Sequence, residues 1–142
     1  MYKRQDLPGV NVEPQRALHG HLFSCVYRHA NLDDCGYVFT MGGKRFLQPG
    51  DTVLLHDHLE LVDIDVLFVS PTIHNMVVDR AAVLINALEP EHIFAQHFGT
   101  YVQTEDNMFW TKGYPDELKH VLPRLMQKRF HKLAPGEVVV LA

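Results

Sequence analysis

Residues 65–70, Asp65-Val66-Leu67-Phe68-Val69-Ser70, are apolar without interruption between polar ends. A strand with no polar side has to be covered on both faces. This one segment therefore commits the chain to a sheet with the strand in its middle. His92-Ile93-Phe94-Ala95-Gln96 repeats the pattern in a shorter form. Between the two, Ala81, Leu84, Ile85 and Leu88 fall at helical spacing, with Asp79 near the start and Pro90 beyond the end, so a helix joins the two strands.

The flanking sequence supplies more strands. Val10-Asn11-Val12-Glu13 alternates apolar and polar residues after the Pro8-Gly9 turn, and the extended pattern runs to Leu18 before His19-Gly20-His21. Residues 22–27 and 36–41 are rich in β-branched and aromatic types. Gly42-Gly43 separates the second of these from Lys44-Arg45-Phe46-Leu47, which is the pattern of a hairpin, and Pro49-Gly50 closes it. Leu118, Val121, Leu122, Leu125 and Met126 form a second helical stripe after Pro115-Asp116-Glu117, with Pro123 expected to kink or split it. A last strand is expected over 138–141. The fold class is α/β (α+β), a mixed sheet with helices on one face, over a domain 10–142 preceded by a disordered or truncated tail 1–9. The second face then needs a cover from a further segment or from another copy in a homo-oligomer.

With 142 residues, 46% apolar and 21% charged, the chain can bury one core. The formal charge is −4 and Lys and Arg are scattered, so there is no electrostatic footprint for nucleic acid. A small-molecule substrate is the expected partner. No apolar run is long enough to span a bilayer, and the N-terminus does not resemble a signal peptide, which points to the cytoplasm. Cys25 and Cys35 are too widely spaced for a CxxC pair and read as free thiols there. Ten histidines direct attention to metal and acid–base chemistry.

Three of the candidate ligands end strands. Asp51, in Pro49-Gly50-Asp51-Thr52, and His97, in Gln96-His97-Phe98-Gly99-Thr100, each follow an apolar strand beside glycine, where ends on one sheet edge converge on a rigid scaffold. Alone, Gly50-Asp51-Thr52 is also the pattern of an Asx-capped turn. In His19-Gly20-His21 both rings project to one face, so either His19 or His21 can join Asp51 and His97 as a metal ligand. His56-Asp57-His58 is a second such pair, but it lies in a polar stretch taken as a loop. His74 follows the central strand on the same edge, as a catalytic or substrate-contacting residue or as a plain hydrogen-bonding one. Tyr101 and Trp110, in the long segment after His97, are candidate substrate-binding rings.

The order of these motifs, from the hairpin and Gly50-Asp51-Thr52, through residues 64–68 and a helix, to His92-Ile93-Phe94-Ala95-Gln96-His97-Phe98-Gly99-Thr100-Tyr101, resembles the C-terminal half of the metallo-β-lactamase superfamily, in its lactonase-like branch. The resemblance implies half of a four-layer αββα sandwich and a metal-dependent hydrolase acting on a lactone, ester or phosphoester. It implies that Asp51 bridges two divalent ions, zinc first, with manganese or iron open. His97 then resembles the last histidine ligand, and His19, with His21 as the alternative, the histidine before the hairpin. The superfamily's HxHxDH motif is absent, which implies a fragment inactive by itself. Two other readings stay open: a cupin-like metal-binding protein, and a non-enzymatic binding or dimerisation module.

Overall fold

The computed structural model describes residues 5–21, 25–26, 34–98 and 114–141. Along the chain these form β1 (Gln5–Leu7), β2 (Val10–Arg16), β3 (Gly20–His21), β4 (Cys25–Val26), β5 (Cys35–Met41), β6 (Lys44–Gln48), α1 (His56–Leu59) and β7 (Val66–Val69). Then follow α2 (Val78–Leu88), β8 (His92–Ala95), α3 (Tyr114–Val121), α4 (Arg124–Lys128) and β9 (Phe130–His131). Among the described residues the main sheet has seven strands in the order β1-β2-β5-β6-β7-β8-β9, while β3 and β4 pair separately.

The first half of the sheet is antiparallel, because tight turns reverse the chain. Gly42 and Gly43 both have positive φ, 59° and 79°, the backbone that a two-residue hairpin loop requires and that glycine supplies without steric cost. From β6 onward the pairing is parallel, with Phe46 opposite Val66, Leu67 opposite Ile93, and Ile93 opposite Phe130. Parallel neighbours need crossovers, and helices carry them. α2 ends as its sequence requires: Glu89 takes the left-handed conformation at φ 47° and its N–H bonds the Ile85 carbonyl, just before Pro90.

One sheet face carries the core. Val38, Leu47, Leu67, Val69, Ile93 and Phe130 pack against Ala81, Leu84 and Ile85 of α2, Leu118 of α3 and Met126 of α4. Burying each of the larger side chains contributes about 1.5–3 kcal/mol. The opposite face is aromatic: Phe39 stacks on Phe46 at 4.8 Å, Phe68 on Phe94 at 5.6 Å, and Phe94 on His131 at 4.6 Å between ring centres. The expected mixed sheet, with its helices packed on one face, is present.

Four expectations change. Residues 5–7 belong to no tail: they pair with β2 around Pro8-Gly9. Residues 138–141 form no strand, and Val138 and Val140 are exposed by 84% and 87%; β-branched residues favour strands only where a neighbour and a packing surface are at hand. The sheet edge is β9 instead, two residues long and too short for a periodic pattern. His56-Asp57-His58 starts a short helix, and His58 is fully buried.

His58 is buried because both ring nitrogens are used. Nδ1 accepts the Leu55 N–H at 3.2 Å, so the protonated Nε2 donates to the Arg16 carbonyl at 2.9 Å. A second proton on Nδ1 would face another donor. Burial, opposed by the Arg16 bond and the charge of Asp57, pulls its pKa below 6.5. The unfolded chain therefore takes up the proton first, and stability should fall as pH drops from about 6.5 towards the lowered folded value, by at most about 1.4 kcal/mol per pH unit for this group. Denaturant melts between about pH 7.5 and 5.5 should show a shallower loss for His58→Gln than for the wild type; equal slopes would contradict the assignment.

Candidate metal centre

β2 runs antiparallel to β5, and β5 antiparallel to β6, so β2 points the same way as β6, β7 and β8. Each of these strands is followed within a few residues by one polar side chain at the common carboxyl edge: His19 after β2, Asp51 after β6, His74 after β7 and His97 after β8. Clefts at the carboxyl ends of such strands are where open α/β sheets bind ligands.

The four side chains meet there. The Asp51 Oδ2 lies 3.3 Å from His19 Nε2, 3.5 Å from His74 Nε2 and 3.4 Å from His97 Nε2. The His74 ring centre is 5.5 Å from that of His19 and 5.6 Å from that of His97. His19, Asp51 and His74 each offer a ligand atom within 4.8 Å of the others. Asp51 Oδ1 is buried and has no hydrogen-bond partner among the described residues, which is costly for a carboxylate oxygen unless something absent from the chain completes it.

These separations suit a metal better than direct hydrogen bonding. A charge-assisted N–H···O bond is about 2.7–2.9 Å long, shorter than all three contacts. Nitrogen and oxygen ligands at about 2.0–2.1 Å in a tetrahedron stand roughly 3.4 Å apart. All four residues fit a nitrogen-rich divalent site in donor type, and His19, Asp51 and His74 fit it in mutual spacing, with His97 joined to them through its approach to Asp51. Burial lowers the His74 pKa, the Asp51 charge opposes that, and His97 and His19 add to the lowering. The ring stays neutral near neutral pH, the form that binds metal.

Local backbone positions these groups. His97 has φ 60°, a left-handed conformation that is strained for a residue with a side chain and that concentrates at functional sites. Gly50, at φ 74°, makes the turn that brings Asp51 back to the sheet edge. His19, Asp51 and His97 thus lie together. His74, read from sequence as a catalytic or substrate-contacting residue or a plain hydrogen-bonding one and not as a metal ligand, stands inside the same cluster; its position after a strand was the signal, but its distance of several residues from the strand end concealed it as a ligand. The side chain of His21 lies outside the described residues, and so do Tyr101 and Trp110.

No protein-family model matches the chain. Among curated proteins it is similar to a UPF0173 metal-dependent hydrolase of Heliobacterium modesticaldum, 27% identical over 152 aligned positions that cover 97% of this chain and 59% of the relative. Among solved structures it is similar to a Zn-dependent hydrolase of the metallo-β-lactamase superfamily from Thermotoga maritima, with TM-score 0.60 and 18% identity over 84% of this chain and 56% of that one. A protein named as a metal-dependent hydrolase from Parabacteroides distasonis matches with TM-score 0.58 and 23% identity, over 70% of this chain and 46% of that one. A diphosphatase of the PhnP family matches with TM-score 0.58 and 14% identity, over all of this chain and 47% of that one. The chain therefore spans about half the length of the proteins it matches.

The strain at His97 gives a test of the turn. Both His97→Gly and His97→Ala remove the ring, but only glycine is at ease at this φ, so denaturant unfolding should find the glycine variant more stable by about 1–2 kcal/mol. Equal stabilities would mean that the left-handed turn is not kept in solution.

Proposed function

On the premise that this is the metallo-β-lactamase fold, we propose that the chain supplies His19, Asp51, His74 and His97 to the metal centre of a hydrolase of that superfamily. The observation that carries the reading is the approach of three imidazole nitrogens, from the ends of three different strands, to a single carboxylate oxygen. The metal-dependent hydrolases among its relatives support it. We assign zinc, because neutral imidazoles and one carboxylate are its usual partners.

A divalent ion held here would lower the pKa of a bound water to near neutrality and polarise a carbonyl or phosphoryl oxygen. The protein's own groups set the conditions for that. Asp51 would bring the negative charge that offsets the cation, and its buried Oδ1, without a hydrogen-bond partner among the described residues, would be open to a further ligand interaction. His74 belongs with His19 and Asp51 in the ligand set, its neutral form favoured by burial. His97 reaches the same carboxylate oxygen from the end of the neighbouring strand β8. The substrate class is a small lactone, ester or phosphoester, the last kept because a diphosphatase shares the fold.

His19, Asp51 and His74, with His97 reaching the same carboxylate oxygen, provide for one ion, and the missing HxHxDH motif leaves a second without a full set. We therefore expect this chain to bind one zinc ion firmly but to have no useful turnover by itself, with the motif supplied by additional polypeptide for activity. Among the described residues no helix is long and apolar enough to cross a membrane, and Cys35 is a free thiol, which favours the cytoplasm.

Equilibrium dialysis of the chain against zinc should give close to one ion per molecule, and Asp51→Ala should lower the affinity at least about 100-fold. A panel of lactones and phosphodiesters should show metal-dependent turnover only when polypeptide carrying the HxHxDH motif is added. Wild-type affinity in the Asp51→Ala variant would overturn the ligand assignment, and rapid turnover by the chain alone would overturn its dependence on further ligands.

A further inference from the structure

Of the proposed ligands, His19 is the least enclosed. Its side chain is 51% exposed, so packing cannot fix the ring. Something else has to hold it against Asp51 and His74. The backbone on either side of His19 is gripped by the residue that follows each of those two partners. The Leu18 N–H donates to Thr52 Oγ1 at 2.8 Å, and the Gly20 N–H donates to Asn75 Oδ1 at 2.7 Å. Thr52 and Asn75 are 1% and 0% exposed. The Val53 N–H returns a bond to the Leu18 carbonyl at 2.9 Å.

The approach at Gly20 is also closed sterically. A Cβ there would run into the His74 carbonyl oxygen and would come within 2.6 Å of Val53 Cγ1. The strand leaving His19 is therefore pressed onto the backbone of the His74 loop, a contact only glycine permits. That loop is held in turn, since the Asn75 N–H donates to the Thr72 carbonyl at 3.3 Å. A fully buried amide side chain costs stability unless it is bonded. Here one of its bonds goes to the backbone beside a candidate ligand.

We infer that Asn75 is a positioning residue for the metal centre: its amide oxygen fixes the backbone at Gly20 and so sets where the His19 ring meets Asp51 and His74. The inference rests on the metal-binding reading above. Asn75 touches neither ion nor substrate. It acts by preorganising a ligand whose own ring is half in solvent, the kind of support whose loss typically weakens metal binding about 10–100-fold.

The test is a zinc titration, by competition with a chromophoric chelator, on the wild type, Asn75→Leu, His19→Ala and the double variant, with circular dichroism as the check on folding. Asn75→Leu keeps the volume and removes the acceptor. It should weaken zinc binding about 10–100-fold. In the His19→Ala background it should have no further effect, because the ligand it positions is gone. Gly20→Ala, which attacks the same contact from the other side, should behave alike and stands in if Asn75→Leu does not fold. Unchanged affinity in folded Asn75→Leu, or the same loss with and without His19, would overturn the positioning role and leave the metal reading intact. A wild type that binds no zinc would overturn the metal reading, and this inference with it, before any variant is compared.

Discussion

Parallel pairing of β6, β7 and β8, with β2 pointing the same way across the hairpin, is the constraint on which the site depends. Hydrogen bonds between strands fix their register, and register fixes which residues emerge at the carboxyl edge. Phe46 opposite Val66, and Leu67 opposite Ile93, leave Asp51, His74 and His97 at one end of the sheet although they are distant in sequence. A one-residue slip would turn Leu67 and Ile93 away from the helices and expose the core. The packing that stabilises the fold is thus the same packing that gathers the candidate ligands.

The parts of the fold that were legible were those with strong local patterns. The uninterrupted apolar runs at 65–70 and 92–96 became β7 and β8, the Gly42-Gly43 turn became the hairpin, and Pro123 did separate two helices. Misreadings arose where the outcome depends on distant neighbours. The valines at 138–141 have the composition of a strand but no partner strand. Phe130–His131 has no pattern of its own and pairs because β8 presents a free edge. His58, polar by type, is buried because Leu55 and the distant Arg16 satisfy both its nitrogens.

The same division holds at the site. Asp51 and His97 stood out because glycine beside a strand end marks a sharp turn, and both glycine-flanked turns have a positive φ in the structure. The choice between His19 and His21 could not be read, since residues two apart on a strand share a face; the structure puts the His19 ring beside Asp51. His74 was visible only as a histidine after a strand. Asn75 and Thr52 carried no signal, because their partners, the backbone N–H groups on either side of His19, lie far away in sequence.

The central claim, that these imidazoles form one metal centre, is tested most directly by nitrogen NMR of the histidine rings during zinc addition. The account predicts that the Nε2 resonances of His19, His74 and His97 change together and stop changing near one equivalent. The paired rings of His92 and His131, 3.2 Å apart at their nearest nitrogens on the far face of the sheet, should stay unaffected. Zinc-dependent shifts at His92 and His131 in place of the three, or none at any of the five, would contradict it.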